Sequence, residues 1–303
     1  MTLEQMRVFL AVADRLHMTR AAEELHMTQS AVSASIAALE VSTGMQVFHR
    51  VGRRIALTAA GTLLRDEAAE ILGRVRQAES ALADLSGLRR GSLSLYASQT
   101  IGNYWLAPLM QVFRTEYPDI TLSLTIGNTS QVSEAVLNGA ADLGFVEGNV
   151  EEPMLARVPA ADDQLVLVLG RGSPLFDCTH LAPADLTRLR WVMREKGSGT
   201  RQIFETACHA YGVDPASLNV TLELPSNEAV ISAVAAGGAT VISRLVAESG
   251  LRAKTLRAAP LVFPERPFHV LRHAERYQSR AAAALLSIVK TAQPLGSRPR
   301  RVR

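Results

Sequence analysis

The sequence has few of three features that would each mark a class of protein: cysteines, long apolar runs and net charge. The two cysteines, Cys178 and Cys208, fit no metal-binding spacing, so we expect small buried hydrophobic side chains in a reducing compartment. Redox sensing is the alternative, but neither thiol has an electropositive flank to activate it. The longest apolar run, residues 229–242, is too short to span a bilayer and is interrupted by two glycines. The formal net charge is only +3, so bulk charge gives no support for nucleic-acid binding.

The chain also lacks a secretory signal and a catalytic motif. Residues 1–15 carry charged side chains within a helical pattern, unlike the apolar core of a signal peptide, so we expect a cytoplasmic protein. There is no GxxxxGK[ST] loop, and residues 197–199 are not part of a GxSxG elbow. His269 and His273 share helical spacing but have no third ligand nearby, which favours solvated or core histidines over zinc. We therefore predict no enzyme activity, no cofactor and no metal.

Residues 18–44 indicate two short helices folded against each other. In the first, Ala21, Ala22 and Leu25 recur at helical spacing, and Thr19 is the predicted N-cap. Residues 26 and 27 supply the turn.

The second helix is predicted to start at Thr28 and to stop at Gly44. Its buried stripe is Val32, Ile36 and Leu39, which are spaced four and three residues apart. This pattern leaves five side chains facing solvent: Gln29, Ser30, Ser33, Ala34 and Ala37.

Such an outward helix start is typical of a DNA-binding helix-turn-helix, because amides and hydroxyls suit base edges and phosphates. An ordinary helical hairpin is the alternative. Residues 47–58 then indicate two short strands around a glycine turn that bears Arg50, Arg53 and Arg54. Three guanidinium groups suit phosphates, which predicts a wing; a solvated basic hairpin is the alternative.

Together these residues resemble the LysR-type transcriptional regulators, over nearly the whole chain. Family members often carry Arg, Lys or Gln where this chain has Ala34, Ser35 and Ala37, so base readout is expected to rely on hydroxyl and amide groups. The motifs that carry the resemblance are LEQMRVFLAV at 3–12, TRAAEELHMTQSAVS at 19–33, Ala38-Leu39-Glu40 with Gly44, Val47-Phe48, Arg50, and LTAAG at 57–61. The residues that it implies for contact with double-stranded operator DNA are Thr19, Arg20, Thr28, Gln29, Ser30, Ser33, Arg50, Arg53 and Arg54.

Residues 58–86 contain no proline and repeat apolar side chains in a heptad pattern. The repeating positions are Leu64, Ala68, Ile71, Val75, Ala78, Leu82 and Leu85. The pattern predicts a long helix whose apolar seam packs on the same helix of a second subunit, and packing on its own domain is the alternative. The resemblance implies a homodimer through this linker helix and a homotetramer in turn.

Beyond residue 91, short strands alternate with helices in two similar halves, which indicates an α/β domain. Crossings near residues 160–163 and 263–267 suggest two lobes around a cleft. The predicted strands are 92–97, 120–126, 142–146, 191–194, 220–224 and 239–242, and the predicted helices are 102–117, 130–138, 200–211, 227–236 and 278–291, the last returning to the first lobe.

The predicted fold is therefore an all-α winged helix-turn-helix domain, a long linker helix, and a two-lobed α/β effector domain that resembles the periplasmic-binding-protein type. The predicted boundaries are 1–58 for DNA binding, 59–90 for the linker and hinge, 91–295 for effector binding (lobe I 91–161 and 267–295, lobe II 162–266), and 296–303 for a basic tail.

In such domains, ligands bind beyond the carboxyl ends of strands, at helix N-termini. The residues predicted there are Ser98, Gln99, Thr100, Asn128, Thr129, Gly197, Ser198, Gly199, Thr200, Arg201, Ser226 and Asn227. They predict a cradle for a small anion, with positive charge from Arg201 and, as a further candidate, Lys196; the alternative is four ordinary capped helices. Glu147 falls in the same place and must pair with Arg201, be protonated, or repel fully charged ligands.

Within the family, the effector-domain segments resemble the subgroup that contains CysL and YeiE and, more distantly, CbbR. This resemblance implies a small anionic effector, with sulfite favoured. A phosphorylated or carboxylic metabolite in the control of carbon fixation or other metabolism is the alternative. The segments that carry this resemblance are 97–106, 126–137, 141–148, 194–201 and 224–234.

Overall fold

The computed structural model describes residues 1–52, 54–85 and 91–292, which divide into two compact units. The first unit comprises Met1–Leu85 and Asn138–Ala140, and the second comprises the other described residues. Three parts of the sequence predictions lie outside the described residues: Arg53 of the wing, the hinge at 86–90 and the basic tail at 296–303.

Four helices and a two-stranded sheet form the described part of the first unit. In chain order they are α1 (Leu3–Arg15), α2 (Met18–Glu24), α3 (Gln29–Thr43), β1 (Phe48–Val51), β2 (Arg54–Leu57) and α4 (Ala59–Leu85). Phe9 and Val12 of α1, Ile36 and Leu39 of α3, and Ala68 of α4 are buried in one core. The helix-turn-helix therefore packs on both the preceding and the following helix.

The predicted caps of α3 are confirmed, whereas that of α2 is wrong. Thr28 Oγ1 accepts from the backbone N–H of Ala31, and Gly44 ends α3 with a φ of 68°. α2 begins at Met18, one residue before the predicted Thr19 cap, and the ring of His17 accepts from the backbone N–H of Arg20 instead. A histidine ring nitrogen can accept the same hydrogen bond as a capping hydroxyl, but histidine is not among the usual N-cap residues, so the sequence pattern did not identify it.

The wing is fixed to α3 by backbone hydrogen bonds to one carboxylate. Glu40 Oε1 accepts from the N–H of Val47 at 2.8 Å and from that of Phe48 at 3.4 Å. Gly61 of α4 approaches the Val47 carbonyl so closely that an added Cβ would lie 2.0 Å from its oxygen. A glycine is required here because any side chain would collide with backbone.

The first half of helix α4 packs within its own unit, whereas the second half leaves apolar side chains of the predicted seam exposed. Ala68 is buried in the core of its own unit, as the alternative reading required. Farther along, however, Ile71, Leu82 and Leu85 are 37%, 68% and 84% exposed. Leu82 and Leu85 are three residues apart and so lie on the same side of the helix, which gives the second half of the helix an apolar surface suited to a partner.

The second unit alternates strands and helices. In chain order its elements are β3 (Gly91–Ser98), α5 (Gln99–Ile101), a π-helical segment (Gly102–Leu106), α6 (Ala107–Glu116), β4 (Ile120–Gly127), α7 (Thr129–Leu137), β5 (Leu143–Glu147), β6 (Leu155–Gly170), β7 (Arg190–Arg194), α8 (Gly199–Ala210), β8 (Asn219–Leu224), α9 (Asn227–Ala236), β9 (Ala239–Ser243), α10 (Arg244–Arg252), β10 (Leu256–His273) and α11 (Arg280–Thr291). Short 3₁₀ turns occur at Pro183–Arg188 and Pro215–Ser217.

Eight strands form one sheet in the order β4-β3-β5-β10-β6-β9-β7-β8. The outer strands are parallel to their neighbours, while β6 and β10 pair antiparallel with each other along most of their length. The predicted crossings lie on these two strands, where Asp163 is opposite Arg266. The two long strands therefore run through both lobes and connect them.

Each lobe has its own core. In lobe I, Trp105 and Phe268 pack with Leu285 of α11, so the last helix does return to the first lobe as predicted. In lobe II, Trp191 and Phe204 stack beneath one face of the sheet, and a second cluster fills the other face. No helix in the described chain has the length and apolar content needed to cross a membrane.

Candidate functional site

The first candidate surface is the start of α3. Thr28, Gln29 and Ser30 are exposed, and Ser33 is half-buried. The Thr28 and Ser30 hydroxyls lie 3.0 Å apart, and Gln29 Nε2 donates to Ser33 Oγ at 2.9 Å. These polar groups hydrogen-bond to one another across the surface, which positions them while leaving further lone pairs and N–H groups available to a partner.

The wing and α2 add positive charge to the first unit. Arg50 and Arg54 are both exposed, on β1 and β2, and the strands turn at Gly52 with a φ of 63°. Neither arginine forms an ion pair with another residue that the structure describes. Thr19 and Arg20 are exposed on the first turn and a half of α2. Unpaired surface guanidiniums of this kind are suited to phosphates.

The second candidate site is the cleft of the second unit, which is built around Glu147. This residue ends β5 and is 2% exposed. Its carboxylate accepts hydrogen bonds from the hydroxyl of Ser98, at the end of β3, and from that of Thr200, on α8, at 3.4 Å. Its backbone carbonyl accepts from Thr129 Oγ1 at the start of α7 at 3.1 Å. One residue thus contacts three helix starts from two lobes.

The close approach of α8 to this residue requires a glycine. A Cβ on Gly199 would lie 1.6 Å from the backbone oxygen of Glu147 and 2.5 Å from the hydroxyl of Thr129. Gly197, with a φ of 88°, makes the preceding turn in a conformation that side chains disfavour. The GSG segment therefore brings the N-terminal end of α8 across to lobe I.

A buried arginine that the sequence analysis missed lies between two carboxylates at this end of the cleft. Arg266 of β10 is 2% exposed, and its Nε donates to Asp163 at 2.8 Å. Its Nη1 donates to the Thr200 hydroxyl at 2.9 Å and lies 3.7 Å from Glu147 Oε1. Asp163 also accepts from Ser243 at 2.8 Å.

A second buried arginine, also missed, occupies the other end. Arg194 closes β7 and makes two 2.8 Å bonds to Glu195. Its Nη1 donates to Asn227 Oδ1 at 2.6 Å, and the Asn227 amide donates to Thr100 Oγ1 at 3.2 Å. This chain of contacts joins the starts of α9 and α5. The available signal was the arginine at the carboxyl end of strand 190–194, directly after three apolar residues.

The buried environment changes the acidity of two carboxyl groups in opposite directions. Burial raises the pKa of Glu147, and the nearby charge of Arg266 only partly offsets that increase. Burial also raises the pKa of Glu195, but hydrogen bonds and charge from Arg194 outweigh it and hold the pKa of that carboxyl below its usual value. Of these two carboxyl groups, Glu147 is therefore the one that more readily carries a proton.

Not every predicted cleft residue joins this cluster. Arg201, expected to supply charge, instead binds Glu205 at 2.8 Å, Glu223, and the backbone oxygen of Arg194. Its guanidinium is therefore paired with acids of its own lobe, although Arg201 also lines the cavity beside the cluster, and its role toward an anion stays a prediction. The hydroxyl of Ser226 caps α9 by accepting a hydrogen bond from the backbone N–H of Ala229.

Gln99 and Asn128 connect the two lobes. The Gln99 amide donates to the Pro225 carbonyl at 2.7 Å and accepts from the Asn227 N–H at 2.8 Å. Asn128 Nδ2 donates to Glu195 at 3.2 Å. The lobes are thus held together on both sides of Glu147.

A cavity of about 580 Å³ opens to solvent beside this cluster. Thr129 and Ser198 line both the cavity and the cluster, and Lys196 is exposed at the rim. The cavity wall also carries four carboxylates: Glu134, Glu151, Glu152 and Glu205.

The cysteines differ in their surroundings. Cys208 is buried in the lobe II core, and burial raises the pKa of its thiol to about 11. Cys178 is only partly buried, and its thiol donates to the backbone oxygen of His180. Thiolate is the reactive form, so Cys208 is inert near neutral pH.

Comparison with known proteins matches both halves of the chain to one family. Residues 3–62 match the family model described as bacterial regulatory helix-turn-helix protein, lysR family, and residues 86–294 match the LysR substrate binding domain. The chain is 34% identical to the uncharacterized HTH-type transcriptional regulator YeiE of Escherichia coli, over 94% of this chain and 96% of the relative. It is 33% identical to a probable RuBisCO transcriptional regulator of Synechocystis sp., over 94% of this chain and 84% of the relative.

The second unit also resembles a solved structure that contains a ligand. The regulatory domain of Synechocystis PCC6803 CcmR, in complex with 2-PG, superposes with a TM-score of 0.60 and 30% identity. The match covers 66% of this chain and 96% of that domain.

Proposed function

Because the chain belongs to the LysR family of DNA-binding transcriptional regulators, we propose that its small-molecule effector is an oxyanion held in the cleft around Glu147. The observation that carries this proposal is the meeting of hydroxyl donors from both lobes beside two buried arginines. Ser98, Thr100 and Thr129 come from lobe I, and Thr200 comes from lobe II. Oxygen atoms of an anion are the acceptors that such donors and helix N-termini favour.

The same arrangement supports a way for the effector to act. An anion that bonds to Thr100 and Thr200 together binds the closed arrangement of the lobes more tightly than an open one. A ligand shifts a conformational equilibrium only through such a difference in affinity. We propose that the shift changes how the paired DNA-binding units are presented to the operator.

Sulfite is the first candidate effector, through the resemblance to the YeiE subgroup. The second candidate is a phosphorylated metabolite, which is favoured by the likeness to a regulatory domain solved with 2-PG. The rim carboxylates of the cavity disfavour the more highly charged ligand, so they favour sulfite in its singly protonated, monoanionic form over its own dianion and over a phosphate dianion.

Calorimetry on the full chain tests the cleft, with sulfite, sulfate, phosphate and 2-PG as titrants. Thr100→Val and Thr200→Val each remove one donor, so each should cost about 1–3 kcal/mol of binding to a charged ligand. Thr115→Val removes a hydroxyl on α6 outside the cleft and is the matched control. Anion binding that survives both cleft substitutions unchanged would place the effector elsewhere.

We further propose that residues 1–58 read the operator, with Gln29 and Ser30 at base edges and Arg50 and Arg54 on phosphates. The exposed second half of α4 would pair with its counterpart in a homodimer, and dimers would associate into a tetramer. Residues 91–295 would form the effector domain. Because its operator lies on the chromosome, the protein would work in the cytoplasm.

A further inference from the structure

In this structure the carboxylate of Glu147 occupies the position expected for the oxygens of an effector. One of its oxygens accepts from the Ser98 hydroxyl of lobe I, and the other accepts from the Thr200 hydroxyl of lobe II at 3.4 Å. The latter oxygen also lies 3.7 Å from Arg266 Nη1. Two of the four donors proposed for an external oxyanion, Ser98 and Thr200, are therefore already bonded to a carboxylate that belongs to the chain.

The charges around Glu147 do not balance when it is ionised. The charged side chains that the described residues place in this cluster are the carboxylates of Glu147, Asp163 and Glu195 and the guanidiniums of Arg194 and Arg266. Three negative and two positive side-chain charges leave one formal negative charge in excess, which the partial positive charge of the helix N-termini reduces. An incoming anion would add to that excess in a buried region, where like charges repel strongly.

We infer that Glu147 is a specificity-determining residue that competes with the effector for the cleft, so that an oxyanion binds only together with a proton. This inference rests on the proposed oxyanion-binding function. The proton is taken up by Glu147 or arrives on the ligand, and in either case it removes the excess charge. A protonated Glu147 also gains an O–H donor, which converts the competitor into a partner for the bound oxyanion.

The sign of the pH dependence follows from this competition. A bound anion raises the pKa of Glu147 above its value in the empty cleft, because the ionised form is then repelled. Affinity is constant below the pKa of the empty cleft, falls as pH rises through the interval between the two pKa values, and is constant again above it. The surrounding charges of Arg266, Asp163 and Arg194 set where that interval lies.

The acidic rim reinforces the same selection. Four carboxylates, including Glu205, line the adjoining cavity, against two cations, the exposed Lys196 and Arg201, which is paired with Glu205. Their field disfavours multiply charged anions at the entrance, although solvent screens it there. Anions that carry one net charge should therefore be bound in preference to dianions of similar shape.

Isothermal titration of the full chain with sulfate tests the inference, because sulfate does not itself titrate from about pH 5.5 to about pH 8, where ordinary carboxyl groups are ionised. For the wild type, the dissociation constant should rise with pH, by up to about tenfold per unit where one proton is linked. Repeating the titration in buffers of different ionisation enthalpy counts the protons taken up. Phosphate, which does titrate in this range, separates a proton carried by the ligand from one taken up by Glu147.

Glu147→Gln supplies a neutral side chain of the same shape. It should bind sulfate more tightly than the wild type at the upper pH, with no proton uptake and with less than about twofold change over the range, because one linked proton is the whole source of the slope. Glu248→Gln removes the same charge from an exposed pair with Arg252 on α10 and should behave as the wild type.

The outcomes separate this inference from the function on which it rests. Sulfate binding with equal affinity at every pH in both the wild type and Glu147→Gln would overturn the inference and leave the oxyanion cleft intact. Binding by Glu147→Gln alone would support strong competition by Glu147. If neither protein binds sulfite, sulfate, phosphate or 2-PG at any pH, the proposed function fails, and the inference fails with it.

Discussion

Two regions of the molecule use the same residue types at helix starts in opposite environments. At the start of α3, Thr28, Gln29 and Ser30 are exposed and bonded mainly to one another. In the cleft, Thr100 and Thr200 are at most 1% exposed, and each hydroxyl already bonds to a side chain of another element. The start of α3 can therefore form new hydrogen bonds to DNA without breaking existing ones. In the cleft, a ligand can bond to Thr100 or Thr200 only by replacing a hydrogen bond within the protein.

This difference determines what a substitution in each region affects. Water satisfies the exposed Gln29 amide and Ser30 hydroxyl in the absence of DNA, so removing either weakens binding and leaves stability nearly unchanged, whereas Thr28 also caps α3 and its removal should cost about 1 kcal/mol. Removal of a buried group leaves its former partner unsatisfied, so stability falls even without a ligand. The cleft should therefore tolerate far fewer changes than the DNA-binding face.

The largest effect should come from Arg266→Met. The change leaves Asp163 and Glu147 buried without their cation, and we expect a loss of about 3–5 kcal/mol in the free energy of unfolding. Urea unfolding followed by tryptophan fluorescence measures it, because the two tryptophans of the chain, Trp105 and Trp191, both lie in the second unit. The matched control is Arg252→Met, which removes an exposed arginine paired with Glu248 and should cost less than about 1 kcal/mol. Equal losses in the two variants would show that the buried pairing adds nothing.

Helices and strands could be predicted from the sequence where the whole element packs against a single core, because the spacing of apolar residues is then regular. The caps and stripe of α3 were predictable because each residue's role depends on neighbours within four positions. The strands β6 and β10 were missed as strands, because each runs between lobes and carries polar residues such as Asp163 and Arg266 in its middle. A strand that crosses from one core to another has no continuous apolar pattern.

The candidate cleft shows the same division. Residue types at strand ends predicted which hydroxyls and amides would meet, since the topology of an α/β sheet brings those ends together. The arginines could not be assigned in the same way. Arg201 follows the glycine segment and does line the adjoining cavity, but it pairs with Glu205 and Glu223 of its own lobe, and the buried arginines of the cluster are Arg194 and Arg266. Pairing between distant charges depends on tertiary geometry.

The second prediction concerns the exposed apolar surface of α4. If Leu82 packs on a second subunit, Leu82→Asp places like charges opposite each other in the contact, and association should weaken by at least about tenfold, or 1.4 kcal/mol. Ser80→Asp introduces the same charge on the opposite side of the helix and is the control. Analytical ultracentrifugation over a range of concentrations measures the change. An unchanged oligomer in Leu82→Asp would show that this surface is not the subunit contact.

The third prediction separates two kinds of contact on the DNA-binding face. Gln29→Ala should reduce operator affinity by about 1–3 kcal/mol and affect random duplex little, because the amide reads base edges. Arg54→Ala should weaken both duplexes similarly and lower the slope of log affinity against log salt by about one phosphate contact. Fluorescence anisotropy with both duplexes at several salt concentrations measures each effect. Equal losses on operator and random DNA in the glutamine variant would contradict base readout.

The smallest effect should come from an exposed bridge between the lobes. Tyr104 and Asn103 of lobe I donate to Glu228 of lobe II at 3.4 Å and 3.3 Å, and all three side chains are exposed. Burial raises the pKa of Tyr104, and the carboxylate of Glu228 raises it further, so the phenol stays protonated and able to donate at neutral pH. The bonds are long, however, and water can replace them.

Tyr104→Phe should therefore change oxyanion affinity by less than about 0.5 kcal/mol, against about 1–3 kcal/mol for Thr100→Val at the buried bridge to Asn227. Calorimetry on both variants at one pH makes the comparison. A loss in Tyr104→Phe as large as that in Thr100→Val would mean that the exposed edge of the cleft controls lobe closure and that burial is not what distinguishes the two bridges.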